Sequence, residues 1–168
     1  LSARRATNQE ATPNETAGEL LERLSVLGGD MIVESLQGMA SGAIIPEPQN
    51  HSEATHAPKL SKEDAVIDWE QPAQVIHNKI RGQNPWPGAT MDFTLPSGEV
   101  VNLKIHRSLI DESAVSVFPS KSPGQFLGAD KKGIWMQCAD RPLLLTVIQP
   151  PGKPKMQAVD WANGVLKA

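Results

Sequence analysis

The chain has 168 residues, 39% of them apolar and 4% aromatic, with a net charge of −3. That is enough for one ordinary domain, or a small domain plus part of another, and no apolar run approaches the roughly 20 residues that cross a bilayer. The charge is uneven: residues 1–58 hold 3 Lys and Arg against 8 Asp and Glu, whereas residues 59–168 hold 13 against 11, so the second part is the better suited to meeting a polyanion.

The opening stretch "LSARRATNQEATPNE" has two arginines and no apolar segment, so it is not read as a secretory signal. Without an initiator Met, it leaves a piece of a longer protein and a stand-alone chain both open. In "TAGE", Thr16 and Glu19 have the spacing of a capping box, in which each side chain satisfies a backbone N–H of the first helical turn. Leu20, Leu21, Leu24 and Leu27 then form one apolar stripe, and Gly28-Gly29 is expected to stop the helix. A second short helix is expected from Asp30 to near Gly42, with Met31, Ile32, Leu36 and Met39 apolar. Residues 43–58 contain three prolines and no sustained period, which reads as an extended linker.

"EQPAQVIHNKIRG" predicts a further helix, with Pro72 at its first position, Gly82 at its stop, and Ala73, Ile76 and Ile80 on the buried face. In the elbow that follows, "RGQNPWPGATMDF", the pattern changes from helical to alternating. Trp86 is expected to pack between this helix and the strands, with Gly88 permitting close approach, so that Trp86→Ala would cost about 3–5 kcal/mol. Val101, Leu103 and Ile105 alternate with Asn102, Lys104 and His106, and "LPSGE" marks a hairpin pairing residues 89–95 with 99–108. Further strands are expected at 124–129, 133–138 and 143–148, the last apolar on both faces and therefore central, before a closing helix in "AVDWANGVL". The fold class is mainly β with helices (α+β), a five-to-six-stranded OB-like barrel preceded by helices and an extended linker.

Catalysis needs groups that can converge. The histidines, His51, His56, His77 and His106, have no metal-binding spacing; His51 and His56 read as surface residues, and His77, four before Arg81, reads as part of a solvated basic face. Cys138 is a lone cysteine in phase with Ile134 and Met136, which suits a buried small hydrophobe in a reducing cytosol. Glu63-Asp64 and Asp111-Glu112 read as charged loops. No phosphate-binding, dinucleotide or nucleophile-elbow motif is present, so no catalytic residue and no metal is assigned. The basic residues are the candidate site: Lys59 and Lys62 before the "EQPAQ" helix, Lys79 and Arg81 on it, Lys104 on a strand, Lys131 at a hairpin, and Lys153 and Lys155 in the loop "PPGKPKM". Set on a small barrel, they could form a track for RNA phosphates; solvated surface lysines are the competing reading. No aromatic stripe for base stacking is evident.

Three stretches, "THAPKLSKEDAVIDW", "NPWPGA" and "IQPPGKPKMQAVDWANG", together resemble the C-terminal region of methionyl-tRNA formyltransferases, in that family's order and near its spacing. "ETAGELLERLSVLGGDMIVESL" is similar to the last helical pair of the family's catalytic domain. The resemblance implies that residues 1–42 are the tail of a truncated Rossmann-like formyltransferase domain, 43–66 a linker, and 67–168 an OB-like tRNA-binding domain. It implies an enzyme that transfers a formyl group from 10-formyltetrahydrofolate, as co-substrate, to the amino group of methionyl initiator tRNA in the cytoplasm. The partners implied are that tRNA and an N-terminal catalytic domain. The family's histidine and aspartate motifs have no counterpart here, so the chain alone is expected to be inactive and to hold no cofactor. Lys59 and Lys62 match the family's basic set best; Arg81 and Lys153 match it less closely, and Pro154 interrupts the usual adjacent basic residues. The alternatives are a stand-alone RNA-binding OB module, or the barrel of a small-molecule formyltransferase or formyltetrahydrofolate hydrolase, to whose barrel "QPAQVIHNKIRG" is also similar.

Overall fold

The structure, a computed structural model, describes residues 10–119 and 121–166, so residues 1–9 of the expected 1–42 segment lie outside it. The chain divides into two compact units, Leu1–Leu60 and Ser61–Ala168.

In the first unit, Thr16 caps helix α1 (Ala17–Ala40) as its spacing requires. Glu19 N–H donates to Thr16 Oγ1 at 3.3 Å, and Thr16 N–H to Glu19 Oε2 at 2.9 Å. A paired guanidinium and carboxylate, Arg23 Nε to Glu15 Oε1 at 2.9 Å, ties the second turn to the preceding segment. The expected break at Gly28-Gly29 is absent: one 24-residue helix runs where two were expected. Glycine permits a left-handed stop without compelling one. Here the helical pattern on both sides outweighs the roughly 1 kcal/mol that each interior glycine costs relative to alanine. The stop falls at Gly42 instead, with φ +75° and its N–H donating to Met39 O. No residue of α1 is buried within this unit, and Leu21, Ile32 and Leu36 lie exposed.

The second unit is an antiparallel sheet of β1 (Ala89–Thr94), β2 (Val100–Leu109), β3 (Phe126–Asp130), β4 (Gly133–Gln137), β5 (Pro142–Gln149) and β6 (Met156–Gln157), with helices α2 (Ala73–Gly82) and α3 (Ala158–Val165). The strand order is β1-β2-β5-β4-β3, with β6 on β5. The α+β class is as expected, the sheet curling into a half-barrel in which β1 and β3 are the ends of the strand path. β5 is central, pairing with β2, β4 and β6. The two-residue strand β6 is too short for its alternation to be legible.

Alternation sorts the side chains. Leu103, Ile105, Ile134, Met136, Leu143, Leu145 and Ile148 bury against Ile76 and Ile80 of α2 and Trp161 of α3. Phe93 meets Phe126 and Trp161 edge-on, at 5.4 and 5.3 Å, pairs worth about 0.5–1.5 kcal/mol each beyond their burial. The other sheet face is closed by Trp135 and Leu144 under Ala114 and Phe118. Pro72 caps α2 rather than beginning it, and the N–H of Ala73 is satisfied from 67 residues away by Asp140 Oδ1 at 2.7 Å.

A register shift between Ile105 and Ser108 interrupts the alternation of β2. The extra residue turns Ser108 inward, where its hydroxyl lies 2.9 Å from His77 Nδ1. His77 is therefore buried, 4% exposed, and not part of a solvated basic face. Its position on α2 sets it over the sheet in phase with Ala73, Ile76 and Ile80.

Candidate nucleic-acid interface

The site is built on the outward face of β2. Lys104 and His106 are two residues apart and so share the face opposite Leu103 and Ile105; both are half-buried. Lys104 lies opposite Gln149 of β5. The Gln149 amide nitrogen donates to Lys153 O at 2.9 Å, leaving its Oε1 to accept from His106 Nε2 at 3.1 Å. This link fastens the Pro150–Lys155 loop to the strand. Burial, followed by the positive charges of Lys104 and Lys155, holds the His106 imidazole below its ordinary pKa, while the bond to Gln149 works the other way.

The elbow after α2 closes over the same strand. Asn84 Nδ2 donates to His106 O at 2.8 Å, and Gly88 N–H donates to Gln83 O at 2.9 Å. Gln83 reaches back to Asp64 O at 2.9 Å, while its buried Oε1 has no hydrogen-bond partner among the described residues. Both Asn84-Pro85 and Trp86-Pro87 are cis. Gly88 has φ +81°, and a Cβ there would lie 2.9 Å from Lys104 Cε and 3.0 Å from its Nζ. The expected close approach at Gly88 is therefore real, and what approaches is the lysine. Trp86 departs from expectation: it is 53% exposed and does not fill the space between α2 and the sheet. That space belongs to Ile76, Ile80 and the inward residues of β2 and β5.

Of the predicted residues, Lys104 lies against Gly88 of the elbow, Lys155 is close enough for its charge to act on His106, and Lys153 is tied to Gln149 through its backbone carbonyl. Other predicted residues have local tasks. Lys79 Nζ donates to Val66 O at 2.6 Å, clamping α2 to the segment before it, and Arg81 Nε donates to Asn78 Oδ1 at 2.9 Å. Lys62 is exposed where Asp64 Oδ2 accepts from Ser61 N–H at 2.7 Å and turns the chain. Lys59 is exposed and belongs to the first unit. Lys131 sits in the turn between β3 and β4, neither of which pairs with β2. It borders a cleft of about 580 Å³ between β3 and α3. Its neighbour Lys132 pairs with Asp111 at 2.8 Å, and this ammonium with Ser113 holds the Asp111 carboxyl down at about 2. Glu112 pairs with Arg141 at 2.6 Å, so both acids of the Asp111-Glu112 loop are structural.

Cys138 is fully buried, and burial pushes its thiol up to about 12, which suits a core residue rather than a nucleophile. Among the described residues, no group of three or more His, Cys, Asp or Glu could hold a metal ion, and no helix is long and apolar enough to cross a membrane. Sequence spacing did not show that Asn84 bonds to β2 or that Trp86 is exposed. The available signal was that "NPWPG" sits directly between α2 and the edge hairpin, but spacing alone does not tell an inward indole from an outward one.

A curled antiparallel half-barrel, covered by helices on one face and carrying cations beside an elbow, defines the class as an α+β domain. Residues 59–166 match the family described as formyl transferase, C-terminal domain, and the chain belongs to that family. It is similar to the C-terminal region of methionyl-tRNA formyltransferases. Identity is 42% to the Moorella thermoacetica enzyme over 153 residues, and 38% to that of Streptococcus equi subsp. equi over 151, with 90% of this chain covered in each case. The chain spans 46% and 45% of those relatives' lengths. Among solved structures, a HypX variant from Aquifex aeolicus has the same fold at a TM-score of 0.67 and 18% identity, covering 95% of this chain and 28% of that one. HypX in complex with tetrahydrofolic acid gives 0.58 at 20% identity, covering 79% and 22%.

Proposed function

We propose that this chain is the tRNA-holding part of a methionyl-tRNA formyltransferase. The complete enzyme would transfer a formyl group from 10-formyltetrahydrofolate to the amino group of methionyl initiator tRNA, in the cytoplasm, ahead of translation initiation. In this reading residues 1–42 end the catalytic domain, 43–66 are the linker, and 67–168 form the OB-like tRNA-binding domain. The apolar residues exposed on α1 would pack against the rest of the catalytic domain. Formyl transfer and folate binding belong to that domain, and the chain alone is inactive. HypX shares the fold at low identity, so fold alone does not choose the substrate; the identity to methionyl-tRNA formyltransferases favours tRNA.

The observation that carries the reading is that Lys104 and Lys155 both act on one imidazole, His106, which Gln149 links to the loop that bears Lys153 and Lys155. Their charges would neutralise backbone phosphates and hold the tRNA without reading its sequence. Lys59 and Lys62, in the stretch that matches the family's basic set best, would add further phosphate contacts. Lys79 and Arg81 would contribute mainly by positioning α2. Lys131, also in the predicted set, would add a peripheral contact at most.

The test is amide chemical-shift mapping of the labelled chain with initiator tRNA. Shifts are expected at 104–106 and 149–155, with weaker ones at 59–62 and little change at 131. A map centred on the β3–β4 turn, or no shifts at low salt, would overturn the assignment of the face.

A further inference from the structure

We propose that Trp86 is a stacking platform for an exposed nucleobase of the bound RNA, an inference that rests on the tRNA-binding reading above. Trp135 and Trp161 are packed at 3% and 7% exposure and Trp69 lies against the core. Trp86 alone among the tryptophans is more than half exposed, at 53%. Its segment is not loose. The ring of Pro85 on one side and of Pro87 on the other fixes φ, Asn84 is bonded to His106 O, and Gly88 N–H is bonded to Gln83 O. An indole presented from such a segment loses little freedom when a flat partner lies on it.

The surroundings name that partner. Residues 84 and 88, which bracket Trp86, are seated on the backbone of His106 and against the side chain of Lys104. Lys155 is close enough to act on the same imidazole. An exposed apolar ring on a segment seated against Lys104, with no carboxylate bonded to Lys104 or Lys155 among the described residues, suits a ligand that is itself a flat ring joined to a phosphate. Proteins that hold unpaired nucleic acid combine these elements: cations along the backbone and aromatic rings beneath the bases. The lysines would set affinity and its salt dependence, and Trp86 would add an uncharged contact requiring an unstacked base at a loop or helix end.

The experiment uses the full 168-residue chain and an unacylated initiator-tRNA transcript, with binding measured over a salt series. Trp86→Ala should weaken binding roughly 5- to 150-fold and leave the slope of log affinity against log salt unchanged, because no charge is lost. Trp86→Phe should restore most of the affinity. Both variants should unfold near the wild-type temperature, since the ring is exposed. In parallel, RNA should quench the wild-type tryptophan emission and shield it from acrylamide, and Trp86→Phe should lack this component. Wild-type binding with steep salt dependence but a Trp86→Ala affinity within twofold would overturn the stacking inference alone. No wild-type binding at low salt would overturn the tRNA reading and this inference with it. Shielding of Trp86 from acrylamide before RNA is added would place the ring under protein and also overturn it.

Discussion

His106 reports most directly on what its neighbours do. Burial and the charges of Lys104 and Lys155 depress its pKa in the free chain. A base depressed on folding contributes stability that is complete above its unfolded value of about 6.5 and is lost as pH falls through and below that value. A phosphate brought between the two lysines would offset their charge and favour the imidazolium. The His106 pKa is therefore expected to rise when RNA binds, measured by NMR titration of the ring protons with and without tRNA; an unchanged value would mean that no phosphate lies near this strand. His106 and Lys104 could be read from the sequence as sharing one strand face, because period-2 alternation fixes it. The inward turn of His77 and the outward turn of Trp86 could not. His77 is buried because a bulge in β2, 31 residues away in sequence, offers it the Ser108 hydroxyl. Trp86 is exposed because smaller aliphatic side chains already fill the space under α2.

At the level of elements, strands were legible wherever alternation and turn chemistry agreed. The Leu95 to Glu99 turn closes as expected, with Gly98 at φ +88°. The DKKG turn closes because Asp130 Oδ1 accepts from Lys132 and Gly133 N–H, at 2.7 and 3.2 Å. Glycine misled the reading of α1, because its two roles are indistinguishable without the backbone angles. The distinction is measurable. A Cβ at Gly28 would meet nothing within 4 Å, so Gly28→Ala should stabilise α1 by about 0.5–1 kcal/mol, raising helicity and amide protection across residues 24–33. At Gly133, where φ is +152°, a Cβ would lie 2.2 Å from Leu145 O. Gly133→Ala should therefore destabilise the sheet by roughly 3 kcal/mol or more, seen as a lower melting temperature of the 61–168 unit. Equal effects at the two glycines would contradict this account of both elements.

For the molecule as a whole, the half-barrel is a platform whose helix-covered face is structural, while β2, the elbow and the Pro150–Lys155 loop form an outward face. Membership of the formyl transferase C-terminal domain family and the resemblance read from three short motifs agree. The motifs fall at the entry to the domain, at the elbow and at the loop beside the closing helix, where chain direction and cation placement are set. The basic residues were individually visible in the sequence, but their grouping was not. It depends on strand order, which sets β2 beside β5 and so brings the loop after β5 to the Lys104 face. The measurement that tests the central claim most directly is initiator-tRNA binding by the 168-residue chain over a salt series, compared with a Lys104→Ala/Lys153→Ala/Lys155→Ala variant. Log affinity should fall steeply with log salt in the wild type, and the triple variant should bind more weakly with a slope shallower by about 2–3, close to one for each lost phosphate contact. Wild-type binding with an undiminished slope in the triple variant, or no wild-type binding at low salt, would contradict the claim.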